Sequence, residues 1–350
     1  MSYSTNTFKP PLLASNAHAQ TLWRRFAPLA VFEQFRERIE LADGDFIDID
    51  WAGPAQGDSS RHRIVVLLHG LCGSSQSPYI IELQRELALS SVASVAINFR
   101  GCSGEFNRLA RAYHSGATED LDGVFNILQE QYPAHHFLFA GYSLGASVLL
   151  NWLAEKGEQE SHSTAVPAAS TCRAVAVSTP FQLADCSRAM LGGTSAFYGN
   201  YFVKLLNRDF INKVEHLETL ASLGNPLAFD AAITLRGLLN EAVDLTSIWR
   251  FDDQLTAPLH GFANADDYYA RCSSGPKLKS ISARILLIQS ADDPLIPPEA
   301  LPSQEDLGSA TELQLSDRGG HVGFIARGNR AWLEQQIARF LLSSGSGCGG

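Results

Sequence analysis

Short apolar runs at residues 64–68, 92–99, 137–140, 174–177 and 285–288 are separated in several places by stretches of helical periodicity. A run of this length without polar alternation needs both faces buried, as the central strands of a parallel sheet do. Ile80, Leu83 and Leu87 mark one apolar helix face. Leu121, Val124, Phe125 and Leu128 mark another, beginning after Thr118 with Glu119 and Asp120 in its first turn. Leu333, Ile337, Phe340 and Leu341 repeat the spacing. Strands alternating with helices require right-handed crossovers and a sheet covered on both faces, with any site at the carboxyl ends of the strands. Ahead of these runs, Ile47, Ile49 and Trp51 alternate with Asp48 and Asp50 after the turn Asp43-Gly44. That alternation predicts a half-buried strand in an antiparallel opening ribbon.

The 350 residues, 45% of them hydrophobic, suffice for one large α/β domain, expected over residues 1–342. The stretch of about 180–278 breaks the alternation. It is mostly helical in pattern, carries Phe197, Tyr198, Tyr201, Phe202 and Leu205 close together, and ends around Phe251, Phe262, Tyr268 and Tyr269, so it reads as a cap inserted between two strands. Residues 343–350 are serine, glycine and one cysteine, a composition that buries nothing and predicts a flexible tail. A net charge of −10 without a basic cluster gives no support to a nucleic-acid or anionic-membrane surface. Six scattered cysteines (Cys72, Cys102, Cys172, Cys186, Cys272 and Cys348) form no CxxC pair and are expected to be reduced thiols of a cytoplasmic protein. No secretory signal and no apolar stretch of spanning length is read, so stable membrane insertion is not expected.

The chemistry concentrates at Gly141-Tyr142-Ser143-Leu144-Gly145, a GxSxG motif between the run 137–140 and a helical run over 146–158. A strand that turns into a helix within so few residues leaves its serine at a strained apex. Only small neighbours let the flanking backbones approach, and Gly141 and Gly145 meet that need. A serine hydroxyl is a weak nucleophile at neutral pH and requires a base, which in turn requires an orienting acid. Asp292 and Asp293 stand in a turn after the run 285–288. His321 stands among Gly319, Gly320 and Gly323 after an alternating strand at 311–315. Either aspartate can be the acid on this evidence, since neighbours in a turn point in opposite directions. His69 is expected to shape its loop, Arg100 to Gly104 to form a structural turn, and His135 and His136 to begin a strand. His114 reads as structural more than chemical, and His18 has no role assigned from the residues alone. No HExxH, paired Cys/His spacing or GxxxxGK occurs, and a literal GxGxxG falls only in the serine-glycine tail at Gly345-Ser346-Gly347-Cys348-Gly349-Gly350, with no strand before it and no helix after it, which leaves metal, P-loop and dinucleotide chemistry without support.

The order Ser, Asp, His, together with several further segments, resembles the α/β-hydrolase superfamily, and within it the YheT-like esterase branch. That branch is related to plant embryogenesis-associated hydrolases and animal α/β-hydrolase-domain lipases. The segments are His18-Ala19-Gln20-Thr21, Asn98-Phe99-Arg100-Gly101-Cys102-Ser103-Gly104 with Asn107-Arg108, Tyr113-His114-Ser115-Gly116, Glu119-Asp120-Leu121, Phe251-Asp252-Asp253, Thr256-Ala257-Pro258, Gly261-Phe262 and Tyr268-Tyr269, with Asp292-Asp293-Pro294 and Gly319-Gly320-His321. The resemblance covers most of the chain from about residue 8 to 340. The resemblance implies an α/β-hydrolase fold and hydrolysis of small-molecule carboxylic esters by Ser143, His321 and an acid, with no cofactor and no metal. It favours Asp293, which lies four residues before Pro297, with Asp292 as the fallback. It also implies an oxyanion hole made by the backbone N–H groups of Leu144 and of Leu71 in the turn His69-Gly70-Leu71-Cys72-Gly73. Acyl transfer, thioester or amide hydrolysis, and a ligand-binding homologue that retains the pocket remain alternatives, since one triad serves any activated acyl group.

Overall fold

The computed structural model describes residues 8–26, 31–54, 63–161 and 172–343. The flexible-tail expectation for residues 344–350, which include Cys348, lies outside them, as do residues 1–7. Eight strands form one sheet in the order β1-β2-β4-β3-β5-β6-β7-β8. They are β1 (Phe35–Glu40), β2 (Phe46–Ala52), β3 (Arg63–Leu68), β4 (Ala93–Ile97), β5 (His136–Tyr142), β6 (Arg173–Val177), β7 (Arg284–Ser290) and β8 (Thr311–Ser316). β2 runs antiparallel to β1 and β4, and the other pairings are parallel. This is an α/β-hydrolase fold with a mostly parallel sheet.

β3 shows why an unbroken apolar run was required. Ile64, Val66 and Leu68 pack in one core with Leu121 and Val124 of α3 (Thr118–Gln131) and Leu149 and Trp152 of α4 (Leu144–Ser161). Val65 and Leu67 point the other way, into a core shared with Ile80 and Leu83 of α2 (Pro78–Leu89) and Leu333 and Ile337 of α11 (Trp332–Leu342). Period-2 alternation along the strand therefore serves two layers of helix instead of one layer and water.

The ribbon departs from the expectation of a half-buried strand. All seven residues of β2 are buried, and Asp48 and Asp50 are only 1% and 3% exposed. The covering groups come from the paired strand. Arg38 stands directly opposite Asp48, and Arg36 opposite Asp50. Each guanidinium makes two hydrogen bonds to its carboxylate, at 2.7–2.9 Å and 2.9–3.0 Å respectively. Asn98 adds a donor to Asp50 at 2.8 Å. Acidic alternation marks a solvent face only when no cation lies across the ladder, and β1 was not read in the sequence.

Between β6 and β7 lies a helical block of α5 (Leu183–Ala189), α6 (Ala196–Ser222), α7 (Pro226–Glu241), α8 (Ile248–Phe251), α9 (Ala257–Leu259) and α10 (Ala265–Cys272). Val203, Phe210, Val214 and Leu217 of α6 pack on Ala228, Ala231 and Leu235 of α7. α1 (Ala17–Phe26) precedes the ribbon in a stretch for which the sequence suggested no helix. Among the described residues, no helix is long and apolar enough to cross a membrane.

Candidate active site

β5 ends at Tyr142 and α4 begins at Leu144, so Ser143 alone makes the turn. Its φ of +52° is left-handed, a conformation a non-glycine residue holds only under constraint. The constraints are local: its N–H donates to Val177 O at 2.8 Å, and its carbonyl accepts from Ala146 and Ser147 at 3.0 and 3.1 Å. A Cβ on Gly145 would come within 2.3 Å of His69 O, and one on Gly141 within 2.7 Å of Gly145 O. Glycine at both positions is therefore a packing requirement of the turn.

His321 Nε2 lies 2.9 Å from Ser143 Oγ, and its Nδ1 lies 2.8 Å from Asp293 Oδ2. A carboxylate only accepts, so Nδ1 carries the proton and Nε2 is left to accept from the serine hydroxyl. The other Asp293 oxygen accepts from the amides of Leu295 and Ile296 at 2.8 and 3.3 Å. Asp292 faces elsewhere. Its Oδ1 accepts from Ser290 Oγ and from the Gly320 amide at 2.9 Å. The two neighbours thus divide the work, one toward the imidazole and one toward the loop that carries it.

The turn after β3 is held by two phenols. Tyr79 OH accepts from the Gly70 amide and Tyr113 OH from the Cys72 amide, both at 2.9 Å. The amide between them, Leu71, and the first amide of α4, Leu144, bond to none of the described residues, and both residues line the cavity that Ser143 enters. His69 is fully buried, with Nδ1 2.8 Å from Gly70 O and Nε2 accepting from the Phe99 amide at 3.1 Å. Burial drives its pKa down to about 4 against the Gly70 hydrogen bond, so the ring is neutral and shapes the loop.

The cavity holds about 460 Å³ and spans Ser143 and His321 at one side and Phe202, Leu206, Phe210 and Phe251 of the helical block at another. Its wall is mainly apolar, with titratable groups set into it, among them Lys213, Asp252 and His114. Lys213 donates to the carbonyls of Ala110 and Arg111 at 3.0 and 2.7 Å, and burial lowers its pKa to about 8. Asp252 accepts from Tyr269 OH at 2.8 Å, and burial raises its pKa to about 6. His114 accepts from the Gly116 amide at 3.1 Å and packs on His260, with a pKa lowered to about 3, first by burial and then by His260. His114 is neutral here and has a structural partner. Arg100 is buried among Asp43, Asp45 and Asp120, so its segment is a structural turn, and Asp120 docks that turn onto α3. Tyr79, Tyr113 and Thr21, which accepts from the His321 amide, were not assigned from the sequence. The only signal for Thr21 was its place in the segment His18-Ala19-Gln20-Thr21.

Comparison with known proteins agrees with this architecture. A sequence family described as alpha/beta hydrolase fold matches residues 63–327. The chain is 37% identical to the Escherichia coli (strain K12) protein YheT over 97% of this chain and 94% of that protein. It is 29% identical to phospholipase ABHD3 of Homo sapiens over 92% of this chain and 74% of that protein. Its fold is similar to that of Pyrococcus furiosus esterase Pf2001, with a TM-score of 0.52 at 17% identity, covering 96% of this chain and 97% of the other.

Proposed function

Because the chain belongs to the alpha/beta hydrolase fold family, we propose that it hydrolyses carboxylic esters through Ser143, His321 and Asp293. The observation that carries the reading is the unbroken contact from Ser143 Oγ through the imidazole to the Asp293 carboxylate, at 2.9 and 2.8 Å. The naming of relatives as esterase and phospholipase supports the same reaction class.

In the reaction, Ser143 Oγ attacks the ester carbonyl as His321 Nε2 takes its proton. The carbonyl oxygen becomes anionic and is met by the Leu71 and Leu144 amides, which are available because neither bonds to any of the described residues. The imidazolium, stabilised by Asp293, returns the proton to the departing alkoxide. The acyl group stays on Ser143 until water, activated by the same imidazole, releases it. The helical block acts as a cap whose apolar side chains take the acyl group of a small or medium-sized ester.

The test is steady-state turnover of p-nitrophenyl butyrate. Ser143→Ala should reduce kcat by roughly 10⁵-fold or more with far-UV circular dichroism unchanged. Turnover within about tenfold of wild type would remove Ser143 from the mechanism.

A further inference from the structure

The loop that carries His321 is under more backbone strain than the elbow that carries Ser143. Gly320, Val322 and Phe324 have φ of +61°, +56° and +49°. For a β-branched valine and a phenylalanine this costs about 1–3 kcal/mol each and persists only where surrounding groups over-determine it. Most of those groups come from α1. Thr21 Oγ1 accepts from the His321 amide at 2.9 Å while donating to Ala17 O at 2.8 Å. The buried Gln20 side chain grips Ile325 at both ends, accepting from its amide at 2.7 Å and donating to its carbonyl at 3.1 Å. Arg24 Nε donates to Gly323 O at 3.0 Å.

The fit is close enough to exclude a methyl group. A Cβ on Gly320 would stand 2.4 Å from Ala17 O and 2.7 Å from Thr21 Oγ1, and one on Gly323 would stand 2.6 Å from Gln20 O. α1 is itself fixed at both ends. His18 Nδ1 meets Tyr198 OH of α6 at 2.9 Å, and Arg24 pairs with Glu82 of α2 and Glu334 of α11.

From this geometry we propose that α1 is the positioning device for the catalytic histidine, with Thr21 as the residue that sets the main-chain height of His321 and Gln20 as its second hold. The proposal rests on the reading of Ser143 and His321 as nucleophile and base. Thr21 touches no reacting atom. It acts by fixing where Nε2 sits relative to Ser143 Oγ, a distance on which proton transfer depends steeply.

Thr21→Val keeps the shape of the side chain but offers the His321 amide no acceptor, whereas Thr21→Ser keeps the acceptor. With p-nitrophenyl butyrate, Thr21→Val should lower kcat by roughly 10- to 100-fold with KM within about threefold, and Thr21→Ser should recover kcat to within about threefold of wild type. The rate of fluorophosphonate labelling of Ser143 should fall in parallel in the valine variant. Should valine prevent folding, judged by circular dichroism, Thr21→Ala carries the same test with a smaller expected loss of kcat. Wild-type kcat in Thr21→Val or Thr21→Ala overturns the proposal, as does a serine variant no better than valine. A Ser143→Ala control separates the two levels. If it is inactive while Thr21→Val is not, the positioning role fails and the triad stands; if it remains active, the triad reading fails and takes this inference with it.

Discussion

The two sides of the candidate site are built differently. The elbow over 141–145 is held by its own strand, its own helix and the neighbouring β6, with strain confined to one residue and close packing permitted by glycines two positions to either side of it. The loop over 319–325 has three left-handed residues and is held by α1, whose Thr21 lies 300 positions away from the amide it receives. A turn stabilised by its own neighbours can be written as a short motif. One stabilised from a distance leaves only scattered residues, each unremarkable in its own context.

The contrast can be broken most forcefully at the acid. Asp293→Asn leaves His321 without a carboxylate to fix its tautomer, so kcat should fall by roughly 10⁴-fold. Asp292→Asn can still accept from the Gly320 amide, and kcat should remain within about tenfold of wild type. Ester kinetics on the two variants would reverse the assignment if the losses were exchanged. Next in size, Gly145→Ala forces a methyl against the His69 carbonyl, a backbone group that cannot swing aside, and should destabilise the protein by about 3 kcal/mol in urea unfolding. A variant as stable as wild type would mean that the elbow is less tightly packed than its glycines indicate.

The smallest effect concerns the opening ribbon, whose ion pairs bear on stability and have no part in the chemistry. Burial is the largest single influence and pushes Asp48 and Asp50 upward, but the hydrogen bonds from Arg38 and Arg36, those from Ser103 to Asp48 and from Ser75 and Asn98 to Asp50, and the guanidinium charges together outweigh it and hold both below the usual carboxylate range. A carboxylate lowered in the folded state contributes stability above its unfolded pKa, and that contribution is lost as pH falls through the folded value. The urea midpoint should therefore drop as pH falls below about 4, and Arg38→Gln should flatten that drop while leaving kcat at pH 7 unchanged. An acid limb identical in the variant would show that the pair is not linked to folding.

These regions also mark what was legible in the sequence. The central strands and the helices flanking the elbow were readable because apolar periodicity reports burial on one or two faces directly. Ser143 and His321 were readable because glycines surround both, and the choice between Asp292 and Asp293 was open to spacing alone because it depends on which way two adjacent side chains point. Asp48 and Asp50 were misread as a water-facing edge because their arginine partners sit on β1, a strand with too little apolar patterning to be noticed. Thr21, Tyr79 and Tyr113 carry no local signal of their role, since each acts on a backbone amide brought to it only by the finished fold.

The most direct test of the central claim is peptide mapping by mass spectrometry after reaction with a fluorophosphonate. A single stoichiometric adduct is expected on the peptide containing Ser143, formed slowly or not at all in His321→Ala. An adduct on another residue, or labelling of Ser143 that is indifferent to the loss of His321, would contradict it.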